Sequence, residues 1–66
     1  MIAEEWQQRA VAENAALLMR IGNLHEFIQS ETFWALPVPD RDLLAHQLLA
    51  MELYQSILSC RISKFV

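Results

Sequence analysis

The chain is poor in glycine, cysteine, proline and positive charge, and each shortage closes off a class of function. With one glycine in 66 residues, no glycine-rich phosphate loop can be built. Cys60 is the only cysteine, so no internal disulfide exists and a cytosolic setting is the default. Two prolines, Pro37 and Pro39, leave the rest of the chain open to helix. The five basic residues, Arg9, Arg20, Arg41, Arg61 and Lys64, face eight acids for a net charge of −3. They are scattered, so the basic stripe that grips a DNA or RNA backbone is missing. A small phosphorylated ligand held by two or three arginines is still compatible with this charge. No run reaches the ~20 apolar residues of a membrane span. The start "MIAEEWQQRA" lacks the basic region and apolar core of a signal peptide. Ile2 and Trp6 hint at a membrane-surface helix, but the polar face beside them is acidic, not rich in Lys and Arg.

What is abundant is apolar. The hydrophobic fraction is 55%, above the usual ~45–50%, and a chain of this length is near the lower limit for a core of its own. Residues from about 3 to 29 are proline-free and rich in good helix formers. On a helical wheel Trp6, Ala10, Leu17, Ile21, Leu24 and Ile28 form one stripe. Glu13 is expected to interrupt that stripe. Gly22 lies off it, where it either weakens the helix or allows a close approach. In "SETFWALPVPD", Ser30 is placed to cap a short turn carrying Phe33 and Trp34, aromatics expected to plug the closed end of a hairpin. Pro37 and Pro39 then block helix continuation, and Asp40 and Asp42 suit the start of a new helix.

The second long helix, about 40–63, has Leu44, Leu48, Met51, Leu58 and Ile62 on one side and Leu49, Leu53, Ile57 and Cys60 nearly opposite. Only Ala45, Glu52, Ser56, Ser59 and Ser63 read as solvated. Two helices cannot cover one that is apolar on two faces. The expected fold is therefore all-α: a two-helix antiparallel hairpin (helix 3–29, turn region 30–39, helix 40–63) assembling with copies of itself into an oligomeric helical bundle.

Candidate chemistry sits on a flank. Gln47, Tyr54 and Arg61 are spaced by seven and line one side of the second helix, while Arg9 and Arg20 occupy a similar flank of the first, beside Glu13 and Phe27. Arginine supplies a bidentate fork for phosphate, tyrosine a stacking face, and glutamine a reader of base edge or ribose hydroxyl. The same residues also serve as hydrogen bonds or ion pairs that set helix register, for example Glu13 with an arginine; both readings stand. His25 and His46 lie on different helices without companions at ligand spacing, so no metal site is expected. No nucleophile elbow is present, Glu4 and Glu5 suit a helix start, and Cys60 reads as a packing residue. No catalytic residue, enzymatic activity or cofactor is expected.

The pattern Arg20–Ile21, Leu24, Phe27–Ile28, Ser30, Phe33, Leu36, Leu43–Leu44, Gln47–Leu48, Ala50–Met51, Tyr54, Ile57–Leu58 and Arg61–Ile62 resembles a family of short phage and prophage proteins related to a gene product of a crAss-like phage. Pro37 and Pro39 depart from the more acidic turn of that family. The resemblance implies a phage origin and an early accessory role, not a structural one; with the cytosolic setting expected above, the location is the cytoplasm of an infected bacterial cell. In architecture alone, the hairpin is similar to those of phage anti-CBASS and anti-Thoeris sponge proteins, oligomers that hold nucleotide immune signals between subunits without cleaving them. Together these suggest an anti-defence sponge for a cyclic nucleotide or ADP-ribose-type signal, with Arg61 and Arg20 on phosphates, Tyr54 on a base and Gln47 on base or ribose. The alternative is an interaction module whose outer apolar face inhibits a host defence protein.

Overall fold

The computed structural model describes residues 4–65. Its helices are α1 (Glu5–Phe27), α2 (Glu31–Trp34) and α3 (Val38–Ile62), and no strand occurs among the described residues. Ala3, the start of the expected first helix, and Ile2 lie outside that range. α1 and α3 pack side by side and run antiparallel: Trp6 meets Phe65 at the open end, Glu13 and Asn14 meet Tyr54 and Gln55 midway, and His25 meets Glu52 further along. The result is an all-α hairpin of 50 × 15 × 14 Å. None of its helices is long and apolar enough to cross a membrane.

The seam follows the heptad pattern. Ala10 and Leu17 of α1 are buried with Leu58 of α3, and Ile21, Met51, Ile62 and Phe65 pack against that cluster; Leu24 of α1 and Leu48 of α3 are buried as well. Leu58 is fully buried. The interruption expected at Glu13 falls one residue later. Asn14 occupies the seam position and accepts a hydrogen bond from Gln55 Nε2 at 3.3 Å, making one polar layer within an apolar interface. Glu13 instead projects to the side. Trp6, placed on the stripe by spacing, stays half exposed and covers the open end by standing edge-on to Phe65 at 5.1 Å.

The turn is built by local chemistry. Ser30 Oγ accepts from the Phe33 N–H at 3.2 Å and donates to the Phe27 carbonyl at 2.6 Å, capping α2 and closing the end of α1 together. α3 starts two residues before the expected Asp40, because Pro37 is its cap and Pro39 sits in its first turn. There the missing N–H would have had no helical partner anyway. The aromatic plug is divided: Phe33 is buried edge-on to Phe27 at 6.1 Å, but Trp34 is 63% exposed. The Arg41 guanidinium lies over the Trp34 ring at 5.1 Å, a cation–π contact, and its buried Nε has no hydrogen-bond partner among the described residues. Gly22 allows no close approach, since a Cβ there would meet nothing within 4 Å.

Two helices bury little. The chain exposes 5184 Å², where a compact monomer of its mass would expose about 4,300 Å². Its radius of gyration is 15.2 Å, against about 11 Å for a compact fold of this length. Among the described residues, eleven large apolar side chains are exposed, including Leu43, Leu49, Leu53, Tyr54 and Ile57 of α3 and Val11, Leu18 and Met19 of α1.

A polar flank beside an uncovered helix face

The heptad row Gln47, Tyr54 and Arg61 runs along one flank of α3, and the hairpin sets the α1 flank of Glu13 beside it. Tyr54 Oη donates to Glu13 Oε1 at 2.7 Å. Stepping seven residues along both helices repeats that register: Arg20 lies level with Gln47, and Trp6 with Arg61. All four sequence-nominated residues therefore share one side of the rod, and all four are exposed. Glu13 joins that side, although its pairing is with Tyr54 and not with an arginine.

The electrostatics are simple. The hydrogen bond to Glu13 raises the Tyr54 phenol above its ordinary 10.0; partial desolvation and the carboxylate's charge add to this, and the positive charge of Arg61 opposes it. Tyr54 is thus a neutral donor at pH 7 with its hydroxyl occupied. No ion pair joins Arg9, Arg20 or Arg61 to another described residue; the one acid–base contact there is His25 Nε2 to Glu52 Oε2 at 3.5 Å, on the other flank. Gln47 makes only a long contact from Nε2 to Met51 Sδ at 3.8 Å. The row is extended: Gln47 and Arg61, fourteen residues apart on one helix, are separated by roughly 21 Å at about 1.5 Å per residue.

The two polar seam residues, Asn14 and Gln55, escaped the sequence reading. Their signal was present, since both continue the 3–4 spacing of their stripes. The described residues hold no group of three His, Cys, Asp or Glu able to grip a metal ion. Cys60 is exposed, on the outer side of α3 with Leu49, Leu53 and Ile57, not packed in the hairpin.

These features define a small helical hairpin with one covered seam, one apolar face left open, and a polar row between the two. The chain belongs to the Sequestin family, whose model matches residues 4–64, a span that takes in both long helices, the turn and the whole row. No curated protein and no solved structure matches it.

Proposed function

We propose that this chain is a phage anti-defence sponge, which holds a small nucleotide-type immune signal where copies of the hairpin meet and does not turn it over. The observation that carries this reading is a pair of exposed arginines, Arg20 and Arg61, that form no ion pair among the described residues and share one flank with Tyr54 and Gln47. The family name, Sequestin, supports sequestration as the activity. The likeness to crAss-like phage proteins supports the phage setting, and the architectural likeness to anti-CBASS and anti-Thoeris sponges supports the ligand class. Phosphates would be taken by the arginine forks at the ends of the row. The Glu13 carboxylate repels phosphate from the middle, so base or ribose belongs there, with Tyr54 stacking and Gln47 hydrogen-bonding. A sponge acts by mass action and needs no catalytic group.

Melting curves with a panel of cyclic oligonucleotides and ADP-ribose derivatives test this. At least one ligand should raise the melting temperature. Arg61→Ala should abolish the shift, and the ligand released on denaturation should have unchanged mass. Altered mass would indicate a hydrolase. The exposed outer face of α3 favours a second reading, docking onto a host defence protein. Absence of any nucleotide shift, with a host protein co-purifying, would establish that reading instead.

A further inference from the structure

The outer face of α3 reads the same in both directions. Asp42, His46, Leu49, Leu53, Ile57, Cys60 and Lys64 are spaced 4, 3, 4, 4, 3, 4; at about 100° per residue the six within α3 form a strip roughly 80° wide opposite the hairpin seam, and Lys64 follows in the turn just past its end. All seven are exposed, with Leu49 and Leu53 at 64% and 65%. About Leu53 the strip is also chemically self-complementary. Reversal puts Asp42 against Lys64, His46 against Cys60 and Leu49 against Ile57. A two-fold contact requires that each residue meet its reversed counterpart.

From this we infer that α3 pairs with α3 of a second copy, antiparallel and centred on Leu53, and that the pairing completes the polar site. This rests on the sequestration reading only for its ligand. A two-fold axis normal to the plane of the paired helices keeps the Gln47–Tyr54–Arg61 flank of both copies on the same side. Arg61 then lies roughly 12 Å from the axis and Gln47 of the second copy roughly 9 Å from it on the same side. The two are one helix spacing apart, about 8–10 Å, where within one chain they are separated by more than twice that. Both Tyr54 rings lie near the axis. The pair carries two equivalent sites, each joining Arg61 of one copy to Gln47 of the other and spanned by a ligand of mononucleotide to dinucleotide size.

Sedimentation at low ionic strength should give twice the mass of the chain. Asp42→Lys or Lys64→Asp alone should weaken self-association about tenfold, and the double variant should recover it. Oxidation of a Leu53→Cys, Cys60→Ser variant should yield a disulfide-linked dimer. A single-chain mass for the wild type, no recovery in the double variant, or a Cys60-to-Cys60 disulfide in the wild type would each overturn the pairing, whether or not a nucleotide binds. With a binding nucleotide from the thermal panel, Arg61→Ala and Gln47→Ala should each bind none, and their equal mixture should regain about a quarter of the wild-type sites by random exchange. No regain, with wild-type binding intact and the mass doubled, would overturn the shared site alone. If no nucleotide binds the wild type, the sponge reading fails and the mass and charge-swap results still decide the pairing.

Discussion

Leu58 and Leu53 are the same residue type, five positions apart on one helix, with opposite surroundings. Leu58 is fully buried in the hairpin seam, and Leu53 is 65% exposed on the far side. Their neighbours differ little in hydrophobicity: Leu48, Met51 and Ile62 accompany one, Leu49 and Ile57 the other. What separates the faces is cover, which α1 supplies to one and no described residue supplies to the other. A helix can thus carry apolar residues on two faces, one closed by folding and one left open. The polar row falls along the boundary between them.

Truncating each leucine breaks the comparison most sharply. Leu58→Ala should destabilise the chain by roughly 3 kcal/mol at any concentration, since it removes buried methyl groups and leaves a cavity. In dilute protein Leu53→Ala should cost less than about 0.5 kcal/mol. In concentrated protein it should lower the melting temperature, because mass action would favour the α3 pair proposed above. Denaturation of both variants at two concentrations measures this. Equal losses for both in dilute protein would mean that the outer face is already covered within one chain.

The seam itself is not uniform, and its polar layer gives the next effect in size. Asn14→Ala leaves the half-buried Gln55 amide without its partner and should cost about 1 kcal/mol. Replacing both residues by leucine should recover the loss or exceed it, as with other buried polar pairs exchanged for apolar ones. The price is register, since a uniformly apolar seam can slide by a heptad. A double-mutant cycle by urea denaturation resolves the coupling, and additive single effects would remove any role for the layer. A smaller change of opposite sign is expected at Gly22, where the added methyl meets open space. Gly22→Ala should raise stability by up to about 1 kcal/mol through helix propensity, and a loss in the same assay would place an unseen neighbour there.

Periodicity was enough to read the hairpin, because the stripes of α1 and α3 and the Ser30 cap are local signals. It also separated the two faces of α3, since residues roughly 180° apart on a wheel cannot share one partner helix. Other features depended on how the two helices meet. Whether Glu13 or Asn14 entered the seam hinged on a rotation of about 100°, less certain near an end occupied by Trp6. Pro39 was read as a barrier when it is a first-turn residue, a matter of which backbone N–H groups go unpaired. Trp34 was assigned to the plug on size alone, but the short α2 turns it outward to Arg41. The flank residues share one side of α3, as their spacing of seven requires of a helix. Their partner was not legible, because pairing Tyr54 with Glu13 requires the inter-helix register.

That register gives the finest test of the polar row, and its readout is spectroscopic because the energies are small. Tyr54 is the only tyrosine in the chain, so the absorbance of its phenolate reports one group. Glu13 accepts a bond from the neutral phenol, so Tyr54 should titrate above 10.0 in the folded protein. A raised folded-state value means that the bond's contribution is complete below pH 10 and fades as pH climbs through the folded-state midpoint. Glu13→Gln removes the carboxylate charge and should move the midpoint down toward 10.0. Arg61→Ala removes the one opposing influence and should move it further up. The two shifts have opposite sign, so loosening of the helix cannot mimic both. If the wild-type midpoint falls at or below 10.0, or ignores both substitutions, Tyr54 is not held by Glu13 and the row loses its fixed centre.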